Sequence, residues 1–409
     1  MAGGKGSRMD VLTETRAKPA LPYAGAYRLI DFPLSNCVHS ALADVWVVEQ
    51  FQPHALNDHL INGRPWDLDR TSGGLRIMPP FTGDEGTGFA EGNADAIYRN
   101  RRFVRDFDPD VLLVLSADHV YTLDYRDVMD AHLEHGAAVT MVTTRAPENP
   151  SRFGVVQVGD GGRVTGFDYK PERPRGDVVA AEVFVYDARA LLDRMDALAA
   201  DGAALKDFGD SIIPALVGEG RAAAFPLDGY WRDVGVIESY WASHMELLGL
   251  GGGGAPSLDL DRPEWPILTY ATTRRPALVA ASARIENSLV APGCTVRGRV
   301  VDSVLSPGVV IEDSAEVRNA VLFHDAVVRR GATVADAILD VRVEVAAGAT
   351  IGPPDATAPR DPRRPPPLAV VGRGAAIEAN ARIAPGARIA SAPDSDGEPH
   401  TAKRATGNG

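Results

Sequence analysis

From Ala277 the sequence follows a different grammar from everything before it. The run ALVAASARIENSLVAPGCTVRGRVVDSVLSPGVVIEDSAEVRNAVLFHDAVVRRGATVADAILDVRVEVAAGATIG repeats an apolar, mostly β-branched residue about every six positions, with Gly or small residues at the corners. Each rung of such a coil stacks its inward side chains on the next, so no rung is stable alone. A β-sandwich shows longer and less regular strands. The pattern predicts a left-handed parallel β-helix over residues 277–389. It is interrupted by a Pro-rich insertion at 353–367, and Leu368 to Ile389 resumes it. Residues 390–409 read as a loose, disordered tail.

The first part of the chain alternates instead of repeating. Leu42 to Phe51, Val111 to Tyr121 and Ala137 to Thr144 are short apolar runs rich in β-branched residues, the mark of buried strands. Ala94 to Arg105 and Tyr125 to His135 have helical spacing. This rhythm predicts an α/β domain over residues 1–248 with a doubly wound, mostly parallel sheet, whose ligands bind outside the carboxyl ends of its strands. A Gly-rich linker, 249–276, joins the two parts. A chain of 409 residues accommodates two such domains.

The net charge of -13 disfavours a protein that coats nucleic acid or an anionic membrane, since both need clustered cations. It does not disfavour a nucleotide substrate, which needs only a few local ones. The two cysteines, Cys37 and Cys294, give neither a disulfide framework nor zinc spacing. No run of about 18 apolar residues is present, and Met1 leads into Gly and Lys without the apolar core of a signal peptide. Together these lead to an expectation of a cytoplasmic protein.

Ala2-Gly3-Gly4-Lys5-Gly6-Ser7-Arg8-Met9 opens the chain. Gly3, Gly4 and Gly6 would let backbone N–H groups approach a polyphosphate, with the positive end of a following helix behind them. Lys5, Arg8 and Lys18 could neutralise charge on transferring phosphates. A flexible terminus can be equally Gly-rich, and the context decides between the two. Arg16-Ala17-Lys18-Pro19-Ala20 follows, then Arg28-Leu29-Ile30-Asp31-Phe32-Pro33-Leu34-Ser35-Asn36-Cys37. Further on come Gln50-Phe51-Gln52-Pro53-His54, Gly92-Asn93-Ala94-Asp95-Ala96, Ala117-Asp118-His119-Val120-Tyr121, Phe153-Gly154-Val155-Val156, Lys170-Pro171, Lys206-Asp207-Phe208-Gly209, Tyr230-Trp231-Arg232-Asp233-Val234-Gly235 and Glu264-Trp265-Pro266-Ile267. In order and spacing these motifs resemble the ADP-glucose pyrophosphorylase (glucose-1-phosphate adenylyltransferase) family, up to about Gly352.

The resemblance implies transfer of AMP from ATP to glucose 1-phosphate, giving ADP-glucose and pyrophosphate for α-glucan synthesis of the glycogen type. It implies that Asp118 and Asp233 carry Mg²⁺, a hard ion suited to two carboxylates converging from distant strand ends. It makes Arg8, Lys18 and Asp118 catalytic. Gly3, Gly4, Gly6 and Gly92 would bind nucleotide, and Gly154 and Lys170 the sugar phosphate, with Glu182 joining them as a substitute acceptor. By analogy it implies a homotetramer assembled through the β-helix, and allosteric control by a sugar phosphate near Arg16 and Arg28. Trp231 and Tyr230 either shape the site or belong to the core. Acyl transfer, another use of hexapeptide β-helices, depends on a rung histidine; the one in these rungs is His324, and a lone histidine is more often structural.

The chain also departs from the family. An apolar strand normally precedes the glycine loop. Without it two neighbouring strand edges would stay unpaired around a hydrophobic slot, so the true start is expected to lie upstream by a strand of about five or six residues. Phe81 and Thr82 stand where a base-reading glutamine run is usual, and cannot reproduce its paired donor and acceptor. Phe89-Ala90-Glu91, Tyr169 and Ala180-Ala181-Glu182 replace sugar contacts, with Glu182 a substitute acceptor. These losses leave room for a different sugar or base, or for a regulatory paralogue that pairs with a catalytic sister subunit.

Overall fold

A computed structural model describes residues 1–4, 6–80, 89–146, 149–250, 257–353 and 360–393. Lys5, the Phe81–Thr82 loop, residues 251–256 of the linker, 354–359 of the Pro-rich insertion and the tail from 394 lie outside the described residues.

The α/β domain opens with two short strands, β1 (Pro22–Tyr23) and β2 (Tyr27–Arg28), followed by helix α1 (Asp31–His39). Then come β3 (Asp44–Val48), α2 (Pro53–Leu60), β4 (Gly74–Met78), α3 (Asn93–Arg99), α4 (Arg101–Phe107) and β5 (Val111–Leu115). The domain continues with β6 (His119–Tyr121), α5 (Tyr125–His135), β7 (Val139–Arg145), β8 (Gly154–Val158), β9 (Val164–Tyr169) and β10 (Val178–Asp187). Helix α6 (Ala188–Ala200), α7 (Ile212–Gly218), β11 (Ala222–Pro226), β12 (Trp231–Asp233) and α8 (Ile237–Leu247) complete it.

Two of the expected elements divide, each at a residue whose chemistry explains the break. The helical run from Ala94 to Arg105 stops at Asn100, whose side-chain amide donates back to the Ala96 carbonyl at 2.8 Å and competes with the helix ladder. The apolar run from Val111 to Tyr121 leaves the sheet after β5. There the Ser116 amide donates to the Glu182 carbonyl (3.0 Å) and the Ala117 amide to the Met1 carbonyl (3.1 Å), so Asp118 stands at a turn rather than in a ladder.

The central sheet is more mixed than the apolar runs suggest. Its order is β11-β7-β10-β8-β9, with β5 also on β10. Strands β7 and β11 are parallel, whereas β10 runs antiparallel to β5, β7 and β8. Helices cover both faces, as a doubly wound domain requires. On one face Tyr125 and Val128 of α5 meet Val142, Val183 and Val185. On the other Leu191, Met195, Ile212 and Leu216 of α6 and α7 meet Met141, Phe184 and Tyr186.

Strands β3 and β4 form a separate parallel pair. Between β3 and β5 the N-terminal residues make three backbone bonds: Met1 to the Leu115 carbonyl (2.6 Å), Ala2 to the Val48 carbonyl (2.8 Å), and Ala117 to the Met1 carbonyl. Beyond them an apolar cavity of about 510 Å³ opens, lined by Val45, Val47, Ile97, Phe107, Leu113 and Leu115 among others.

The second domain is the left-handed β-helix, with three faces that are each a six-stranded parallel sheet. One inward ladder runs Val300, Val317, Val334 and Ile351, all fully buried, and Ala315, Ala320, Ala326 and Ala332 fill the corners. The outer side of one face (Val304, Val321, Ile338, Val370) packs against Leu12, Tyr23, Tyr240 and Trp241 of the first domain. Buried polar contacts cross the same boundary. Arg16 donates twice to Asp340 (2.5 and 2.7 Å), and Trp241 donates to the Asn319 carbonyl (2.8 Å).

Candidate functional site

Asp118 and Asp233 lie 115 positions apart in sequence, and the β6–β12 ladder brings them together. Its antiparallel register sets Asp233 opposite His119, the neighbour of Asp118. The Lys18 ammonium sits between the two carboxylates, 2.6 Å from Asp118 Oδ2 and 3.7 Å from Asp233 Oδ1. Lys18 is itself buried, in a short 3-10 turn, Lys18–Ala20. His119 Nε2 stands 3.6 Å from a carboxylate oxygen of each aspartate, while its Nδ1 faces the Ala181 carbonyl at 3.2 Å. The Trp231 ring packs edge-on against His119 at 5.2 Å and is buried.

Burial pushes the Asp118 carboxyl up. The Lys18 charge, His119, and hydrogen bonds from Lys18 and Ser116 outweigh it and hold the group well below the usual carboxylate range. Arg152 brings a further cation to 3.6 Å from Asp233 Oδ2. At Gly235 a Cβ would lie 2.8 Å from the Asp233 oxygens, so the carboxylate occupies space that only glycine leaves.

The glycine loop borders this cluster. A Cβ at Gly6 would meet Lys18 Cβ at 3.3 Å, and one at Gly3 would meet Gln50 Cβ at 3.2 Å, whereas Gly4 is open. The helix expected after the loop is replaced by a 3-10 stretch, Ser7–Thr13, broken at Asp10 (φ 51, ψ -133). It therefore presents no α-helical N-terminus to a phosphate. Arg8 lies on that stretch, exposed, with no ion pair among the described residues, and is not gathered with Lys18, Asp118 and Asp233.

Glu182 lies between this cluster and Lys170, within electrostatic reach of His119, Asp118 and Asp233. It sits in a bulge of β10, where the register against β7 shifts between Ala180 and Phe184, with a left-handed φ of 56. Burial raises its carboxyl above the usual range. The charges of His119 and Lys170 oppose that shift, and Asp118 and Asp233 reinforce it. Lys170, just past β9, also has a left-handed φ, 46, and its exposed ammonium donates to the Tyr169 hydroxyl. Non-glycine residues in this conformation carry about 1–3 kcal/mol of strain each, and such outliers cluster at functional sites.

Two of the expected binding glycines have packing reasons of their own. A Cβ at Gly92 would lie 2.2 Å from the Lys206 carbonyl, which accepts from the Ala94 amide at the start of α3. A Cβ at Gly154 would lie 2.6 Å from the Phe167 ring. Sequence reasoning assigns no role to His119, Ser116, Arg152 and Asp207. His119 and Asp207 stand inside the motifs and Ser116 and Arg152 beside them, but only the fold brings Ser116, His119 and Arg152 to the two aspartates and Asp207 to Tyr169. Arg16 is occupied by Asp340, and burial together with the Arg16 charge pushes the Arg28 guanidinium down to about 10.

The two carboxylates offer a hard-oxygen donor set, and no group of three or more His, Cys, Asp or Glu suited to a metal occurs among the described residues. Two carboxylates of this kind suit a divalent metal that draws the rest of its ligands from outside the protein. No helix of the described residues is long and apolar enough to cross a membrane.

Comparison with known proteins bears on the same two regions. A family model described as nucleotidyl transferase matches residues 1–249, and one described as GlmU-like, C-terminal hexapeptide matches residues 277–361. The glucose-1-phosphate adenylyltransferase of Clostridium acetobutylicum is 40% identical over 313 residues, 76% of this chain and 81% of that protein. That of Pseudothermotoga lettingae is 41% identical over 319 residues, covering 78% and 75%. That of Bacillus thuringiensis is 35% identical over 355 residues, covering 86% and 93%.

Proposed function

The chain belongs to the nucleotidyl transferase family, among its glucose-1-phosphate adenylyltransferases, and from that premise we propose that it joins ATP and glucose 1-phosphate into ADP-glucose and pyrophosphate. The observation that carries this reading is the convergence of Asp118 and Asp233 on the Lys18 ammonium beside the Gly3–Gly6 turn.

In this reaction a phosphate oxygen of the sugar 1-phosphate attacks the α-phosphorus in line, and pyrophosphate leaves. The nucleophile is already anionic, so no protein nucleophile and no general base are needed. Rate enhancement comes from positioning and charge neutralisation. Asp118 and Asp233 would hold Mg²⁺, which supplies Lewis-acid stabilisation of the phosphate charge when bound. Lys18, buried against the glycine loop, neutralises charge from the protein side. Gly3, Gly4 and Gly6 allow the triphosphate to lie close to the backbone. Lys170 grips the sugar phosphate, and Glu182 accepts from sugar hydroxyls. Arg8, exposed on the 3-10 stretch that follows the glycine loop, would add positive charge for the phosphates. The β-helix would carry the subunit contacts of a homotetramer. An anionic effector near Arg16 and Arg28 would have to compete with Asp340 for Arg16.

A second reading, a catalytically weak sister subunit, draws support from Tyr169 and Glu182, which stand where sugar contacts are altered. A pyrophosphate-release assay over a matrix of nucleoside triphosphates and hexose 1-phosphates separates the two. Release with ATP and glucose 1-phosphate is expected. Release only with another pair would rename the substrates. No release with any pair, together with binding to a sister subunit, would replace the first reading by the second.

A further inference from the structure

The residue before Lys170 is built into the molecule more firmly than Lys170 itself. The Tyr169 hydroxyl donates to Asp207 Oδ2 at 2.9 Å, so its one hydrogen is committed and its lone pairs are left for the Lys170 ammonium. That ammonium also lies 4.2 Å from the centre of the Tyr169 ring, within cation–π range. The ring has two close neighbours. Phe167 stacks with it at 6.4 Å and 15°. A Cβ at Gly209 would come within 2.2 Å of ring carbon Cδ2, so the ring rests directly on the Gly209 backbone. Asp207 is anchored in turn, accepting from the Asn93 amide at 3.2 Å. The exposed Lys170 thus hangs from a series of fixed groups: Asn93, Asp207, Tyr169.

We infer that Tyr169 is a positioning residue that holds the Lys170 ammonium where the phosphate of the sugar substrate is received. The inference rests on the proposed role of Lys170 and adds to it. A free lysine side chain gives up considerable rotamer entropy when it grips a phosphate, and a lysine already held against a phenol and its ring has less left to lose. Tyr169 would act through Lys170 alone, so its effect belongs in sugar-phosphate binding rather than in the chemical step.

Tyr169→Phe keeps the ring on Gly209 and removes only the hydroxyl. The kinetics of this variant, of Lys170→Ala and of the double variant test the inference in the full-length enzyme by pyrophosphate release. For Tyr169→Phe, KM for glucose 1-phosphate should rise about tenfold, with kcat and KM for ATP within about twofold, the signature of lost ground-state binding. In the Lys170→Ala background the same substitution should change nothing further. An unchanged KM in Tyr169→Phe, or an equal effect in both backgrounds, would overturn the positioning role while leaving the functional reading intact. If Lys170→Ala itself leaves KM for glucose 1-phosphate unchanged, the role of Lys170 fails, and this inference with it.

Discussion

At one end of the site Asp118 is held by a buried ammonium, a histidine and a serine hydroxyl, and Asp233 by the backbone register of β12 and the bare Cα of Gly235. At the other end an exposed Lys170 leans on one phenol, and Glu182 turns into the site from a strained bulge. The first end uses residue types and spacings that match the family. The second departs from them at Tyr169 and at Ala180-Ala181-Glu182. The difference follows from chemistry. Triphosphate and metal are common to every nucleotidyl transfer, and their charge demands preorganised partners of fixed type. A sugar is recognised by hydrogen bonds that many side chains can supply, so that end can be rebuilt while the phosphate end stays as it is.

Substitutions at the two ends must therefore fail differently. The largest effect is expected for Asp118→Asn or Asp233→Asn. Either should lower kcat by about 10³-fold, several kcal/mol of lost charge stabilisation, as measured by pyrophosphate release at saturating substrates. A loss below tenfold for both would break the comparison. Gly235→Ala comes next. Its methyl group would displace the Asp233 carboxylate, and a shift of about 1 Å at a reacting centre costs up to about 10²-fold in kcat. Glu182→Gln should raise KM for the sugar phosphate about tenfold with kcat little changed, the difference between a charged and a neutral hydrogen bond. A fall in kcat without a change in KM would move Glu182 to the metal end. The smallest effect, a several-fold rise in the same KM, is expected for Gly209→Ala, whose methyl group pushes the Tyr169 ring and only indirectly Lys170.

The legibility of the sequence follows the same division. The β-helix fold is legible because its signal is a local repeat and its pairing partner is always the next rung. Asp118 and Asp233 were readable as a pair from the motifs around them, and their convergence needed only two strand ends on one edge. The mixed sheet was not, because β10 is an apolar run like any other, and strand direction depends on the connections made by β8 and β9. Lys18 was identified as a cation, but that it is buried between both carboxylates emerges only from the ladder of β6 and β12. His119 and Arg152 were missed for the same reason. What the motif around Arg8 does not reveal is that the 3-10 stretch with its break at Asp10 leaves the side chain exposed. Gly92 and Gly154 show that a glycine in a motif can be required by a neighbour's carbonyl or ring.

The gap between β3 and β5 has a mechanical consequence. Among the described residues β3 shares its ladder with β4 alone, and the Met1 and Ala2 backbone bridges the pair to β5 beside an apolar void. A two-stranded unit with so little hydrogen bonding to its neighbours opens at lower free energy than a central strand. In a chain that begins at Met1, its amides should be the first in the domain to trade hydrogen for deuterium, and those of the β-helix rungs among the last. Because Gln50, which backs Gly3, lies two residues past the end of β3, tilting of this plate would reach the Gly3–Gly6 turn before it disturbed either aspartate.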